Sequence, residues 1–277
     1  MPELPLVYVI VLTWNGKDDT LECLKSLQQV TYSNVRLLLV DNASTDRTVE
    51  AAKERFPGVE VISNQSNLRF AGGNNIGIRY ALDRGAEYVL LLNNDTVVDG
   101  DFLMQLVHAA EKERAIGMVG PKIYYYDDQR QIWFAGGKIE WWKGWVSHIG
   151  IREPDHGQHD AIKEVDYLTG CCILAKREMV EKVGMLDESY YIYGEDTDWC
   201  VRAARAGYKL LYAPSSVIWH KLSVSTGGHS SWYKNWNKLK SQLRLMARYA
   251  KPYHWMTIPV WMPIKILQGF LEVKRAS

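Results

Sequence analysis

Four times in its first ninety-five residues the chain runs apolar and then turns abruptly polar. Val7-Tyr8-Val9-Ile10-Val11-Leu12 ends in Thr13-Trp14-Asn15-Gly16, and Val35-Arg36-Leu37-Leu38-Leu39-Val40 ends in Asp41-Asn42-Ala43-Ser44. Val59-Glu60-Val61-Ile62 ends in Ser63-Asn64-Gln65-Ser66-Asn67, and Tyr88-Val89-Leu90-Leu91-Leu92 ends in Asn93-Asn94-Asp95-Thr96. Short, continuous apolar runs suit strands buried on both faces, which means a parallel sheet. Strands of such a sheet all end on one side. The four polar clusters therefore converge on one crevice, where open α/β sheets bind ligands.

Helical patterns fill the intervals. Leu21, Leu24 and Leu27 share one helix face. Ser44-Thr45-Asp46 reads as an N-cap for a helix over 46–55, stopped by Phe56-Pro57-Gly58. Gly72-Gly73 is expected to open a helix reaching 83, and 102–113 makes a fourth before a strand at 116–123. The alternation predicts an α/β fold with a doubly wound, mostly parallel, Rossmann-like sheet and right-handed crossovers. Residues 124–165 carry Trp133, Trp141, Trp142 and Trp145 around Gly136-Gly137, a hairpin or an excursion over the sheet edge. Residues 166–221 return to compact α/β character.

The C-terminal part differs. Trp232, Trp236, Leu239, Leu243, Met246 and Ala250 fall on one helical face, and Lys234, Lys238, Lys240, Arg244, Arg248 and Lys251 fill most of the rest, as in a basic amphipathic helix. Residues 255–271 are apolar, but Pro259, Pro263 and Lys265 make them a poor membrane span. The net charge of +1 hides a division: residues 199–277 hold thirteen Lys/Arg and one acid, leaving 20 Lys/Arg and 31 Asp/Glu in 1–198. Such an extension (230–277) either meets an anionic membrane surface or packs on the body or on a second subunit of a homodimer. A nucleic-acid partner would explain the basic tail but not an acidic crevice.

At 277 residues, with 47% hydrophobic and 23% charged residues, the chain suits an ordinary globular protein of one large or two small domains. No signal peptide is legible at the N-terminus. Cys23, Cys171, Cys172 and Cys200 have no CxxC or zinc spacing and read as reduced core thiols of a cytoplasmic protein.

Several residues have the chemistry of a phosphate-handling site. Asp95, after a buried run, suits Mg²⁺ or Mn²⁺ held jointly with substrate phosphates, although an Asp there also caps helices and turns. Asp41 suits hydrogen bonds from a ribose or base, or a loop position before the next helix. Arg69, joined to Gly72-Gly73, can meet a phosphate, or lie on a tight surface loop. In Gly194-Glu195-Asp196-Thr197-Asp198-Trp199 three carboxylates sit at a helix start, favourable for the dipole. An ionised Asp196 there can take a hydroxyl proton as a general base. Arg202 and Arg205, on the same helix, either orient the acids or bind phosphate. His220 ends an apolar run and is a structural histidine or a second metal ligand beside Asp95.

Taken in order, Thr13-Trp14-Asn15, the stretch from Val40 to Asp46, Asn67-Leu68-Arg69-Phe70-Ala71-Gly72-Gly73-Asn74, Asn93-Asn94-Asp95, Thr169-Gly170-Cys171-Cys172 and Gly194-Glu195-Asp196-Thr197-Asp198 resemble the inverting glycosyltransferases of family 2, with the GT-A fold. The resemblance covers residues 6–221 and is nearest to the rhamnosyltransferase-like branch of polysaccharide and glycolipid assembly. It implies a GT-A domain over 1–229, with a nucleotide-sugar half at 1–123 and an acceptor half at 124–229, followed by the helical extension. It implies that Thr13, Asn15, Asp41, Asn42, Arg69, Gly72, Asn74, Asn93, Asn94 and Asp95 hold a dTDP- or UDP-sugar, with Mg²⁺ or Mn²⁺ on Asp95 and His220. Asp196 would be the base, with Glu195 placing the acceptor, and Thr169, Gly170, Cys171 and Trp199 would line the acceptor side. The acceptor class it implies is a saccharide or lipid-linked saccharide at the cytoplasmic membrane face. Two departures stand out. The usual first Asp of the metal motif is Asn93, and the QxxRW motif of processive members is replaced by Trp199-Cys200-Val201-Arg202, which favours single addition. A non-catalytic nucleotide-sugar-binding module and a nucleotidyltransferase on the same sheet are the alternatives.

Overall fold

The computed structural model describes residues 4–221 and 232–266. All four expected strands form, alternating with helices: β1 (Val7–Thr13), α1 (Lys17–Leu27), β2 (Val35–Asp41), α2 (Thr48–Arg55), β3 (Glu60–Ser63), α3 (Arg69–Asp83) and β4 (Tyr88–Asn93). β1 pairs in parallel with β2 and β4, and β2 with β3, so the polar clusters share one edge. β1 and β4 are buried almost throughout, hence their unbroken apolar sequences. β3 was expected to be buried on both faces and is not: as the edge strand it keeps all four residues at least partly exposed.

The helix starts also differ from the sequence reading. α2 begins at Thr48, with Asp46 outside it. Asp46 Oδ1 accepts the N–H (3.1 Å) and hydroxyl of Thr48, while Oδ2 accepts the Lys17 N–H (3.0 Å) at the start of α1. One carboxylate thus serves two positive helix ends. α3 begins at Arg69, not at Gly72. Its glycines press the helix onto the sheet: a Cβ on Gly73 would lie 2.4 Å from Leu12 Cδ1, and one on Gly77 2.5 Å from Ile10 Cγ2.

β5 (Thr96–Val98), α4 (Phe102–Ala110) and β6 (Ile116–Tyr125) follow; α4 stops three residues short of the expected 113. β7 (Ile132–Phe134) pairs antiparallel with β6, and β8 (Gly137–Glu140) and β9 (Trp145–His148) form a separate hairpin around a 3-10 turn at Trp141–Lys143. β10 (Lys163–Glu164), β11 (Cys172–Lys176), α5 (Arg177–Val183), α6 (Glu195–Arg205), β12 (Lys209–His220) and α7 (Trp232–Tyr249) complete the described elements, with a further helical stretch at 258–266. The main sheet runs β10-β12-β6-β11-β4-β1-β2-β3, with β5 beside β12 and β7 beside β6.

β11 is the departure from a continuous parallel sheet. It lies between β4 and β6, antiparallel to both. Running backwards, it presents its beginning where β4 ends, with Cys172 opposite Leu92. Thr169-Gly170-Cys171 therefore reach the same edge as the four polar clusters.

α7 meets the body by a face that only partly overlaps the apolar stripe read in the sequence: Met246, Leu239 and Ala250 pack on the core. Trp236 and Leu243 are exposed, whereas Asn237, Ser241, Leu245 and Met246 are buried. Small and polar groups set this approach: a Cβ on Gly194 would lie 3.1 Å from Ser241 Cβ, and Ser241 Oγ donates to the Ile192 carbonyl (3.2 Å). Arg244 donates to Ser189, and Arg248 bridges Asp187 and the fully buried Asp198. The expected helix start at 230 and the tail beyond 266 lie outside the described residues. Among the described residues no helix is long and apolar enough to cross a membrane.

Candidate active site

The strand ends build a crevice whose floor is a hydrogen-bonded net. Thr13 Oγ1, at the end of β1, lies 2.9 Å from Thr20 Oγ1 and accepts from the Asn94 side-chain amide (3.3 Å), which also donates to Thr20 (2.9 Å). Asn15 Oδ1 accepts the Thr45 N–H (2.9 Å), and the Asn15 N–H donates to Ser44 Oγ (2.7 Å). Asp41 receives the Ser44 N–H on both oxygens, at 3.1 and 3.2 Å. One N–H leaves this buried carboxylate further acceptor capacity for a ligand.

Asn42 has little capacity left. Its amide donates to the Arg69 carbonyl (3.0 Å) and its oxygen accepts from Asn64 (2.9 Å), so it ties β2 to the start of α3. Gly72 and Asn74 are buried within α3, and the Asn74 amide donates to the Phe70 carbonyl (3.0 Å). These three belong to the frame. Arg69 is exposed and stacks its guanidinium 3.5 Å above the Tyr191 ring. That contact joins the donor side to the loop before α6. Asn75 reinforces it, exchanging hydrogen bonds with the Leu186 backbone (2.9 and 3.0 Å) and donating to Glu188 (2.9 Å). Tyr191, Asn75 and Glu188 went unnoticed in the sequence. The aromatic run Tyr190-Tyr191 was the available signal for Tyr191; the other two have none at short range.

At the far end of the crevice, β12 lies antiparallel to β5, with His220 opposite Thr96. This brings His220 Nε2 to 3.1 Å from Asp95 Oδ1, with both side chains nearly buried. The Lys221 N–H holds the Asp95 carbonyl (2.9 Å), while the Lys221 ammonium donates to Asp19 (2.9 Å) and to Glu22. Among the described residues the buried His220 Nδ1 has no hydrogen-bond partner, and the Trp133 ring stands edge-on at 4.5 Å. A carboxylate and an imidazole converging from two strands suit a divalent cation whose remaining positions are filled by substrate oxygens and water. No cluster of three such side chains occurs among the described residues, so a cation here would be shared with a ligand rather than caged by the protein.

The acidic pair meets the residues that lead into the reversed strand. The Asn93 N–H donates to the Cys171 carbonyl (3.0 Å), and the Gly170 N–H donates to Asp196 Oδ2 (2.8 Å). Gly170 is pinned between Phe70 and Asp196, where a Cβ would lie 2.7 Å from Phe70 Cζ. Burial drives the Cys171 thiol far above its ordinary pKa, and the nearby charges of Asp95 and Asp196 push the same way. Asp196 also accepts the Thr197 N–H (2.6 Å) and hydroxyl (3.2 Å). Burial raises both acids of the pair. Glu195, with Oε2 buried and unpartnered, is pushed to about 8, first by burial and then by the Asp196 charge. Burial also raises Asp196, opposed by the N–H groups of Gly170 and Thr197. The two neighbouring carboxyls differ in support: Asp196 accepts two backbone N–H groups that favour its charged form, whereas Glu195 has burial and the Asp196 charge against its own.

Other expected site residues fall elsewhere. Trp199 is wholly buried and donates from Nε1 to the Gly184 carbonyl (2.8 Å), so it is a core residue and cannot touch an acceptor. The Cys171 thiol is buried too, and only its backbone serves the crevice. Thr169 is buried, donating no contact to the acids but accepting the Cys171 N–H (3.4 Å). Arg202 binds Asp198 (2.8 Å) and the carbonyls of Val183 and Met185, and Arg205 donates to the Tyr249 carbonyl (2.9 Å), so neither is committed to phosphate.

The sheet and the crevice at its strand ends have the GT-A layout. Residues 8–184 match the model of Glycosyl transferase family 2, and the chain belongs to that family. It is similar to rhamnosyltransferases. It is 29% identical over 240 residues to the N-acetylglucosaminyl-diphospho-decaprenol L-rhamnosyltransferase of Mycobacterium tuberculosis, covering 79% of this chain and 77% of that one. It is 26% identical over 219 residues to a dTDP-rhamnosyl transferase of Shigella flexneri, covering 78% and 69%. Its fold matches that of GalNAc-T7, solved with UDP, GalNAc and Mn²⁺, with a TM-score of 0.70 and 18% identity over 91% of this chain and 49% of that one. It also matches a Pyrobaculum calidifontis mannosyltransferase, solved with GDP-Man and Mn²⁺, with a TM-score of 0.66 and 19% identity over 100% and 76%.

Proposed function

We propose that this glycosyltransferase moves one rhamnosyl unit from dTDP-rhamnose, with inversion, to a hydroxyl of a lipid-linked saccharide on the cytoplasmic side of the membrane. The observation that supports this chemistry is the Gly170 N–H held on Asp196 (2.8 Å) just before β11, whose Cys172 pairs with Leu92 of the strand that leads to Asp95 and its partner His220 (3.1 Å). The rhamnosyl donor and lipid-linked acceptor are supported by the relatives' names; a UDP-sugar is the second donor to test. The buried free thiols suit a reducing compartment.

Asp41, Thr13 and Asn15 frame the nucleoside end, and Asn93 and Asn94 the ribose or sugar. Arg69 leaves Tyr191 to meet the diphosphate, bringing positive charge to the leaving group. Asp95 and His220 would hold Mg²⁺ or Mn²⁺, which when bound offsets charge on the departing diphosphate. Asp196 takes the proton from the acceptor hydroxyl, whose oxygen forms the new bond as the nucleotide oxygen departs; one such displacement inverts the anomeric centre. Neutral Glu195 can donate a hydrogen bond to the acceptor while leaving Asp196 as the base.

The test is turnover with a panel of nucleotide sugars, Mn²⁺ and a polyprenyl-diphosphate-linked N-acetylglucosamine, following nucleoside diphosphate release and the product's anomeric configuration. The reading expects dTDP release and inversion. Retention, pyrophosphate release from a nucleoside triphosphate, or binding without turnover of any donor would replace it.

A further inference from the structure

After α7 the chain makes a 3-10 turn at Pro252–Met256 and enters the helical stretch 258–266. Ile258 and Met262 pack inward on the β8–β9 turn, where a Cβ on Gly144 would lie 3.0 and 2.9 Å from them. Thr257 Oγ1 donates to the Trp142 carbonyl (2.6 Å) and fixes the two segments together. What remains outward is apolar. Met256 is 78% and Val260 60% exposed, with Tyr253, Trp261 and Ile264 also exposed. Trp142 joins them, its ring 5.3 Å from Tyr253. No Asp, Glu, Lys or Arg occurs from Pro252 to Ile264. Exposed apolar side chains gathered in this way, with no charged residue among them, mark a candidate interaction site.

We infer that the face formed by Trp142, Tyr253, Met256, Val260, Trp261 and Ile264 docks on the surface of an anionic lipid bilayer. Its rim is basic. Lys251 Nζ lies 5.8 Å from the Tyr253 ring and Lys143 Nζ 5.9 Å from the Trp261 ring. Glu140, bonded to Lys143 (2.5 Å), is the acid at this rim, and its carboxyl is held below the ordinary value by that bond and by the charges of Lys143, Lys265 and Lys138. Ionised Glu140 offsets one positive charge, and Lys138, Lys143, Lys251 and Lys265 still leave the rim net positive among the described residues. Tyr and Trp at headgroup depth, with lysines on the lipid phosphates and aliphatic side chains below, match an interface in charge and polarity. A second copy fits less well, since a two-fold contact would set this basic rim against itself. Among the described residues no helix is long and apolar enough to cross a membrane, so the docking inferred here is peripheral.

The face is linked to the crevice. α7, which leads into it, holds the loop before Glu195 through Ser241 on Ile192 (3.2 Å) and Arg248 on Asp187, and holds α6 itself through Arg248 on Asp198. Docking would fix the acceptor side of the enzyme relative to the lipid surface. The inference stands on this surface and survives if the acceptor proposed above is wrong.

Flotation of the full chain tests it, using phosphatidylcholine vesicles with and without phosphatidylglycerol at low salt. Binding is expected with phosphatidylglycerol and weaker without it. The combined Met256→Ser, Val260→Ser and Trp261→Ser variant should lower the bound fraction about tenfold or more. Ile162→Ser, at an exposed apolar position beside β10, should leave it unchanged. Circular dichroism and melting check that the variants fold. Absence of flotation with anionic vesicles, or flotation insensitive to the triple substitution, would overturn the inference. So would a dimer that the triple substitution dissociates.

Discussion

Replacing Glu195 by glutamine should change how stability depends on pH. Glu195 holds its proton to about 8 in the folded chain, against an ordinary value of 4.5. Between those values the folded chain binds one more proton than the unfolded chain, so stability falls as pH rises. The contribution is fully present below pH ~4.5 and is lost as pH passes through ~8. At about 1.4 kcal/mol per pH unit, the whole loss is on the order of 4–5 kcal/mol. Glutamine mimics the neutral acid and keeps its shape, so Glu195→Gln should lack this slope. Urea unfolding of both proteins from pH 5 to 9 measures it. The curves should coincide near pH 5, with the variant progressively more stable above it. Parallel curves across that range would refute a protonated Glu195, and with it the division of roles between the two acids.

Asp196→Asn should lower kcat by roughly 10²–10⁴ while leaving donor affinity by calorimetry intact, since it removes a base and not a binding group. His220→Ala should weaken Mn²⁺-dependent binding of dTDP at least roughly tenfold, with little change in metal-free binding. Gly73→Ala should cost about 1–3 kcal/mol in urea unfolding, because the added Cβ meets Leu12 and the Asn42 amide, and this outweighs alanine's better helix propensity.

The parallel half of the sheet was legible because its signal is local. A strand buried on both faces writes an unbroken apolar run, and β1 and β4 do so. β3 reads alike yet is an edge, and nothing in four residues distinguishes a strand with one neighbour from a strand with two. Asp95 and His220 were each ambiguous alone; 125 residues separate them, and only the β5–β12 pairing joins them. Trp199 misled because it adjoins the acidic cluster in sequence, yet it lies one helical turn further along α6, fully buried with its Nε1 on the Gly184 carbonyl. The reversed direction of β11 left no trace in composition. Nor did the rotation of α7, which long-range contacts from Arg248 and Ser241 determine.

The wedged strand has a consequence for the nascent chain. β4 is finished at Asn93, but the partner that covers its outer edge begins at Cys172. For the roughly 4–16 seconds that a ribosome needs to add those ~80 residues, an apolar strand presents an unpaired backbone. β6, made in the interval, waits for the same partner. Early pairing of these two strands with each other would shut β11 out, so chaperone shielding during synthesis should govern the yield of active enzyme.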